Sequence, residues 1–311
     1  MATFTAHSAV GQREDLSDLI YSISPTDTPF MSSIGKTKAT AAYHEWQTDS
    51  LAAVNTSNAA VEGADASSAT LAPTTRVGNR CQISQKTIQI SGTLEAVDKA
   101  GRKSEKAREL AKASAEIKRD MEAIMTSNQV AAAGSSSTAR KLGALQAWLA
   151  TNGDFGTSGV AGASGTTART DGTNRTFTED ILKTVVREVY QSGGNPKVLM
   201  VTPAHKQTVS TFAGIAAQRY MAPSDSATTI VGAADVYLSD FGTMSVVPNR
   251  LLQSSDTAFV LDPEYAAVAY LRPFQTKELA KTGDSDKTQL TVEYTLEVRN
   301  EAAHGIIADL S

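Results

Sequence analysis

From residue 287 to 300 apolar and polar residues alternate without a break. Leu290, Val292, Tyr294, Leu296 and Val298 share one phase; Gln289, Thr291, Glu293, Thr295, Glu297 and Arg299 share the other. A period of two is that of a strand with one face in a core. A second extended stretch, 266–279, precedes it, and Lys281-Thr282-Gly283-Asp284-Ser285-Asp286 between them has turn composition. The pair predicts a half-buried antiparallel hairpin whose apolar face needs a cover. Residues 103–130 supply one. Leu110, Ile117, Met121 and Ile124 recur at helical spacing as a thin stripe, and the other faces are dense with Lys, Arg, Glu and Asp. At ~1.5 Å per residue such a helix reaches roughly 42 Å and reads as a strut lying on a sheet.

A different unit opens at Thr176-Phe177-Thr178-Glu179, a capping-box pattern. Ile181, Leu182, Val185, Val186 and Val189 make the following helix amphipathic, and Gly193-Gly194 ends it. The apolar strand Val198-Leu199-Met200-Val201 comes next, then Thr202-Pro203 as cap and first turn of a helix through Phe212. From 228 onward the pattern is β, with strands at 236–238 and 244–247 joined at Asp240-Phe241-Gly242, and another at 257–261. Helices and strands therefore mix in an α+β chain.

Other segments have little to bury. In the first forty residues, 15–23 reads as a short helix with Leu16, Leu19, Ile20 and Ile23 on one side, stopped by Ser24-Pro25-Thr26-Asp27-Thr28-Pro29. An arm that packs on another body, or a frayed terminus, fits that composition. Residues 41–51 and 77–91 read as strands joined by 52–75, almost all Ala, Ser, Thr, Asn and Gly. The connector cannot build a core of its own. The second strand has Cys81 and Ile83 in one phase and Ile88 and Ile90 in the other. A switch near 84–86 implies a bulge, or a strand passing from one packing environment to another. Together these elements predict a long projecting hairpin rather than part of a core. A short helical patch is expected over 140–150, and the Gly/Thr/Ser/Asn-rich stretch 151–176 reads as a flexible loop.

Composition narrows the function. The chain has 311 residues, Lys+Arg 29 against Asp+Glu 33, a net charge of −4 and a pI near 5.7. That balance argues against a dedicated nucleic-acid binder. One cysteine, Cys81, excludes an intrachain disulfide and a thiolate zinc cluster, which fits a reducing compartment. Arg13, Glu14, Asp15 and Asp18 interrupt the start, so no secretory signal is expected, and no apolar run approaches the ~20 residues of a membrane span.

Catalytic patterns are missing. No phosphate-binding glycine motif or nucleophile elbow occurs, and Gly159, Gly162 and Gly165 follow no apolar strand. His7, His44, His205 and His304 lack metal-pair spacing, and Cys81 on an expected strand favours packing. Asp284 and Asp286 lack the pattern of a calcium loop and suit a turn. Neither cofactor nor metal is expected, and the chain does not read as an enzyme.

The order of arm, hairpin, long helix, α/β lobe and terminal β-hairpin resembles the major capsid proteins of tailed bacteriophages, with the Hong Kong 97-like fold. Thr28-Pro29-Phe30, the box Tyr43-His44-Glu45-Trp46-Gln47-Thr48-Asp49-Ser50-Leu51, and Glu62-Gly63 carry the likeness. So do Val247-Pro248-Asn249-Arg250, Leu271-Arg272-Pro273-Phe274, Leu279-Ala280-Lys281-Thr282-Gly283-Asp284 and the run from Glu293 to Glu301. The resemblance implies an N-terminal arm over 1–40 that reaches a neighbouring subunit and a projecting E-loop over 41–92. It implies a peripheral segment with the spine helix over 93–175, an axial domain over 176–262 and a return to the peripheral domain over 263–311. It makes Tyr43, Trp46, Asp49, Glu62 and Arg80 candidate inter-subunit contacts. Copies of the chain would assemble as hexamers and pentamers into an icosahedral head enclosing double-stranded DNA without sequence-specific binding. No charged coiled-coil pro-region is visible, so a scaffold would be a separate protein, as would portal and decoration proteins. Synthesis in the host cytoplasm and residence in the virion capsid follow, with no membrane. An encapsulin-like compartment shell and a soluble hydrolase are the alternative readings.

Overall fold

The computed structural model describes residues 26–63, 65, 71, 73–97, 104–212, 235–253 and 256–311. The expected helix at 15–23 and any strand beginning at 228 lie outside the described residues.

The chain enters through a five-residue helix α1 (Pro29–Ser33) and strand β1 (Gly35–Lys38). Strands β2 (Tyr43–Thr48) and β3 (Thr75–Arg80) form the hairpin, and β4 (Gln82–Ser91) follows directly. A short helix α2 (Gly92–Ala96) leads to the long helix α3 (Glu105–Thr126), then to one turn α4 (Leu145–Trp148) and strand β5 (Gly153–Asp154). Next come α5 (Glu179–Gln191), β6 (Val198–Val201), α6 (Pro203–Val209), β7 (Val236–Ser239), β8 (Gly242–Pro248) and β9 (Ala258–Leu261). The long strands β10 (Ala266–Leu279) and β11 (Ser285–Val298) precede β12 (Gly305–Ile307).

A four-stranded sheet runs β1-β10-β11-β4, a six-stranded sheet runs β5-β12-β9-β6-β8-β7, and β2-β3 stand as a two-stranded sheet. The six-stranded sheet serves two cores because alternate residues of a strand point to opposite faces. Met200, Phe259 and Leu261 join the core that holds α3, β10 and β11. Leu199, Val201, Ala258 and Val260 join the one under α5, with Leu182, Val185, Val186 and Val189.

The cover predicted for the terminal hairpin is present. Ile117, Met121 and Met125 of α3 share a core with Leu290, Val292, Tyr294, Leu296 and Val298. The helix is shorter than its charge pattern promised, ~33 Å at the usual rise. Ser104 caps its start, while Ser127 turns extended at its end and donates its Oγ to the Ile124 carbonyl. The cap of α5 is Thr178, whose Oγ1 accepts from Ile181 N, two residues later than the box pattern placed it.

Three expectations need correction. Residues 26–40 are no loose arm. Phe30, Met31, Ile34 and Ala39 are buried, and β1 pairs in parallel with β10. Pro29 begins α1, and the helix lacks a side-chain cap from Thr28. Its N–H groups are met by the long helix: Glu122 accepts from Phe30 N at 2.7 Å and Met31 N at 2.9 Å, and also from Asn249 Nδ2 at 2.7 Å. Burial raises the pKa of this carboxyl, and those three donors pull it back.

The 151–176 stretch is packed, not flexible. A Cβ on Gly156 would sit 2.1 Å from the Thr173 carbonyl oxygen, and one on Gly162 would sit 2.6 Å from that of Gln146. Glycine here permits close approach of backbones. Arg169, buried in this stretch, pairs with Asp309 at 2.8 Å and Asp171 at 2.8 Å.

The polar phase of β11 is not a solvent face either. Glu293, Thr295 and Glu297 are buried, because Ala39, Cys81 and Ala269 form a small core on that side. Glu293 is held by Arg140 and by Arg272 Nε at 2.7 Å.

Candidate functional site

The hairpin pairs Tyr43 with Arg80 through to Thr48 with Thr75. Its strand alternation divides root from surface: His44, Trp46 and Thr48 are half-buried, while Tyr43, Glu45 and Gln47 are exposed. A change of packing environment does occur in the second strand, but at Cys81, before the 84–86 stretch. Residues up to Arg80 pair with β2, and residues from Gln82 on pair with β11. Ile88 and Ile90 then face inward, while Ile83 faces out.

The root is fastened by polar groups. Asn79, fully buried, donates Nδ2 to the carbonyls of Gly143 and Leu296, each at 2.8 Å. Its Oδ1 accepts from Gly143 N at 2.7 Å and Arg80 N at 2.8 Å. An amide side chain offers two donors and two acceptor positions, and all are used. The Trp46 ring lies 5.5 Å from that of Trp148, whose Nε1 donates to Gly143. Glu297 of β11 accepts from Thr37 Oγ1 at 2.7 Å and Arg299 Nε at 3.0 Å, with His44 Nε2 at 3.2 Å. Burial pushes its carboxyl up, but these partners outweigh that and hold it below the usual range.

Beyond the root the described residues of the hairpin lie in the open. Every described residue from 49 to 74 is exposed. Leu51 is 99% exposed, Val54 92%, Val61 80% and Leu71 88%. Isolated exposed aliphatics are ordinary; here four stand on one projection. The tip is also one-signed: Asp49, Glu62 and Asp65 are its ionisable residues, with no Lys or Arg between 49 and 75.

Of the five candidate contacts, Tyr43 and Arg80 come together, the guanidinium 5.0 Å from the ring centroid on the exposed side of the root. Asp49 and Glu62 lie in the exposed tip, Asp49 accepting from Ser50 N at 2.9 Å. Trp46 faces its own subunit. Asn79 and Glu297 escape sequence reasoning, since one is a lone amide in a strand and the other an acid in the polar phase.

His7 lies outside the described residues, and the other residues screened for chemistry do not converge. Cys81 is buried, and burial pushes its thiol up to about 11, which disfavours a reactive thiolate. His304 is buried, and desolvation lowers it to about 4. Asp171, Asp256 and Asp309 come within reach of one another, with the Arg169 guanidinium as their counter-charge. Among the described residues no helix is long and apolar enough to cross a membrane.

Comparison with known proteins completes the picture. A family model described as SU10 major capsid protein matches residues 2–311. A curated major capsid protein of Escherichia phage Phieco32 is 27% identical over 341 residues, covering 98% of this chain and 96% of that protein. Among solved structures, a chain of Mycobacterium phage Ogopogo superposes with a TM-score of 0.59 at 12% identity over 100% of both chains. The capsid of a native GTA particle gives 0.59 at 12% identity over 98% of each. The holo-SrpI encapsulin complex of Synechococcus elongatus PCC 7942 gives 0.58 at 10% identity, covering 97% of this chain and 93% of that one. At these identities the solved structures establish the fold, the Hong Kong 97-like α+β capsid fold, and the resemblance seen in the residues is borne out.

Proposed function

Because the chain belongs to the SU10 major capsid protein family and is the major capsid protein of a phage head, we propose that the projecting hairpin is where one copy holds the next. The observation that carries this reading is the tip: Leu51, Val54, Val61 and Leu71 stand exposed on a segment whose described residues are all exposed. Tyr43, Arg80, Asp49 and Glu62 are the outward contacts, and Trp46 acts from beneath, fixing the hairpin on Trp148.

The rest of the assignment follows the same architecture. Residues 41–92 serve as the E-loop, α3 with β10 and β11 as the peripheral domain, residues 176–262 as the axial domain, and 263–311 as the return. Of the arm, 26–40 is docked in its own subunit. Copies close as hexamers and pentamers into an icosahedral shell around double-stranded DNA. The chain's acidity suits a wall that contains DNA and does not grip it. Scaffold and portal functions belong to other proteins, and assembly takes place in the host cytoplasm. No catalytic step is assigned; substituting His44, His205, His304 or Cys81 singly alters packing and abolishes no turnover.

An encapsulin shares the fold at a similar TM-score, so fold alone does not choose between a phage head and a cargo shell. The family match across 2–311 favours the head. Electron microscopy of the chain expressed alone, beside a variant with 53–74 replaced by a short Gly-rich turn, tests the contact role. Closed shells from the first and soluble, folded, unassembled protein from the second are expected.

A further inference from the structure

Two of the sequence boxes that carry the family likeness, Thr28-Pro29-Phe30 and Val247-Pro248-Asn249-Arg250, lie far apart in the chain and meet at the long helix. Glu122 of α3, fully buried, is where they join. Its Oε1 accepts from Phe30 N and from Asn249 Nδ2, each at 2.7 Å, and its Oε2 accepts from Met31 N at 2.9 Å. A buried carboxylate is costly unless it is hydrogen-bonded, and among the described residues this one has no cation as a partner. Neither side has a substitute for it. α1 has no side-chain cap at Thr28, and the other contact of Asn249 Nδ2 is the Met200 sulfur at 3.4 Å, a weak acceptor. Asn249 itself is fixed to the six-stranded sheet, just beyond the paired ends of β6 and β8. Its N donates to the Val201 carbonyl at 2.8 Å, and its Oδ1 accepts from Leu251 N at 2.8 Å. On the open side, Asp27, Pro29, Pro248 and Arg250 line a cleft of about 270 Å³, so packing does not fill the junction there.

We propose that the Glu122 carboxylate is a joint that couples the docking of residues 29–38 on α3 to the placement of the six-stranded sheet, so that loosening one loosens the other. The physical reason is the shared oxygen. Oε1 cannot follow α1 without leaving Asn249, or follow Asn249 without leaving Phe30. Either departure leaves a buried donor unmet, which costs more than the hydrogen bond contributes. Such coupling is reciprocal by thermodynamic necessity. In a shell, a displacement of the entry segment is thereby felt in the sheet, and the reverse. Glu122 and Asn249 are positioning residues, and the joint is independent of the hairpin and its contacts.

Hydrogen exchange on the full-length subunit tests the joint. In Asn249→Ala, the amides of residues 30–38 exchange roughly tenfold faster, the equivalent of about 1.4 kcal/mol, while those of α5 keep their rate. The Asn249 side chain bonds Glu122, Met200 and Leu251 and none of residues 30–38, so the bonded path between them is the carboxylate. Glu122→Gln brings a donor where three donors already point and raises exchange on both sides, at 30–38 and at 249–251. Combining Glu122→Gln with Asn249→Asp exchanges amide and carboxylate between the two positions. The amide at 122 then donates to the carboxylate at 249 and keeps its oxygen for α1, and exchange at 30–38 recovers most of the tenfold. Native rates at 30–38 in Asn249→Ala would overturn the proposal, leaving Glu122 as a cap of α1 alone. So would an acceleration that the double substitution does not reverse, since loss of stability by itself explains it. Where Asn249→Ala does not fold, the double substitution decides alone: a folded subunit with slow exchange at 30–38 upholds the joint, and an unfolded one contradicts it.

Discussion

The pair β10–β11 and the pair β2–β3 are both antiparallel hairpins, and they meet where Asn79 bonds the Leu296 carbonyl. In the first, Leu290, Val292, Tyr294, Leu296 and Val298 lie under the long helix. In the second, apolar side chains are kept for the root, and those past Thr48 are left in water. Burying a Leu or Val side chain contributes roughly 1.5–3 kcal/mol, so the first hairpin builds the subunit core while the tip of the second adds almost nothing to it. On the proposed reading, the tip has its use outside the subunit.

The contrast can be broken most severely at Leu296. A Leu296→Asp substitution places an unpaired charge in the main core, costs about 4 kcal/mol or more, and leaves no soluble folded protein by circular dichroism. Thr295→Asp comes next, at ~3 kcal/mol, because Thr295 is fully buried on the reverse face between Glu293 and Glu297. Thr291→Asp, half-exposed in the same phase, stays within ~0.5 kcal/mol. Urea titration of the two side by side separates a covered reverse face from a solvent face.

Acid sharpens the same boundary. His304 is neutral when folded because desolvation lowers its pKa to about 4, while the unfolded side chain titrates near ~6.5. The unfolded state therefore binds the proton first. Stability present above pH ~6.5 falls as the pH drops toward 4, by up to about 3 kcal/mol. Glu297, also held below its usual range, adds to the loss at the lower end. Stability curves between pH 7 and 4 check this, and His304→Gln flattens the upper part of the slope. A smaller effect is expected from Asn79→Ala, which strands Gly143 N and takes a donor from the Leu296 carbonyl in the buried root, at a cost of about 2 kcal/mol. Hydrogen exchange then rises in β2 and β3 more than in β10 and β11.

Sequence periodicity made the subunit-forming hairpin legible almost residue by residue, because one-sided burial writes a period of two into the chain. Its bounds, 266–279, are those of β10. The projecting hairpin was legible for the opposite reason, since 52–75 has too little apolar surface to fold. What stayed hidden is polar and long-range. Glu122 capping α1 from 91 residues away, Asn79 joining β3 to β11, and the reverse-face pairing of Glu293 carry no local signature. Polar residues look alike in sequence whether they meet water or a buried partner. The stretch 151–176 misled for a related reason: glycines that let backbones touch have the same composition as glycines that let them move.

The account stands on the claim that residues 53–74 serve the shell and not the subunit. Its most direct test is to replace them with a short Gly-rich turn and measure, on one preparation, the melting temperature and the particles seen by negative-stain microscopy. Loop shortening changes closure entropy by only about 0.6 kcal/mol per halving, so the predicted result is an unchanged melting temperature, native-like circular dichroism and no stable closed shells. Intact shells of normal stability would contradict the contact role, and an unfolded variant would place the segment in the core.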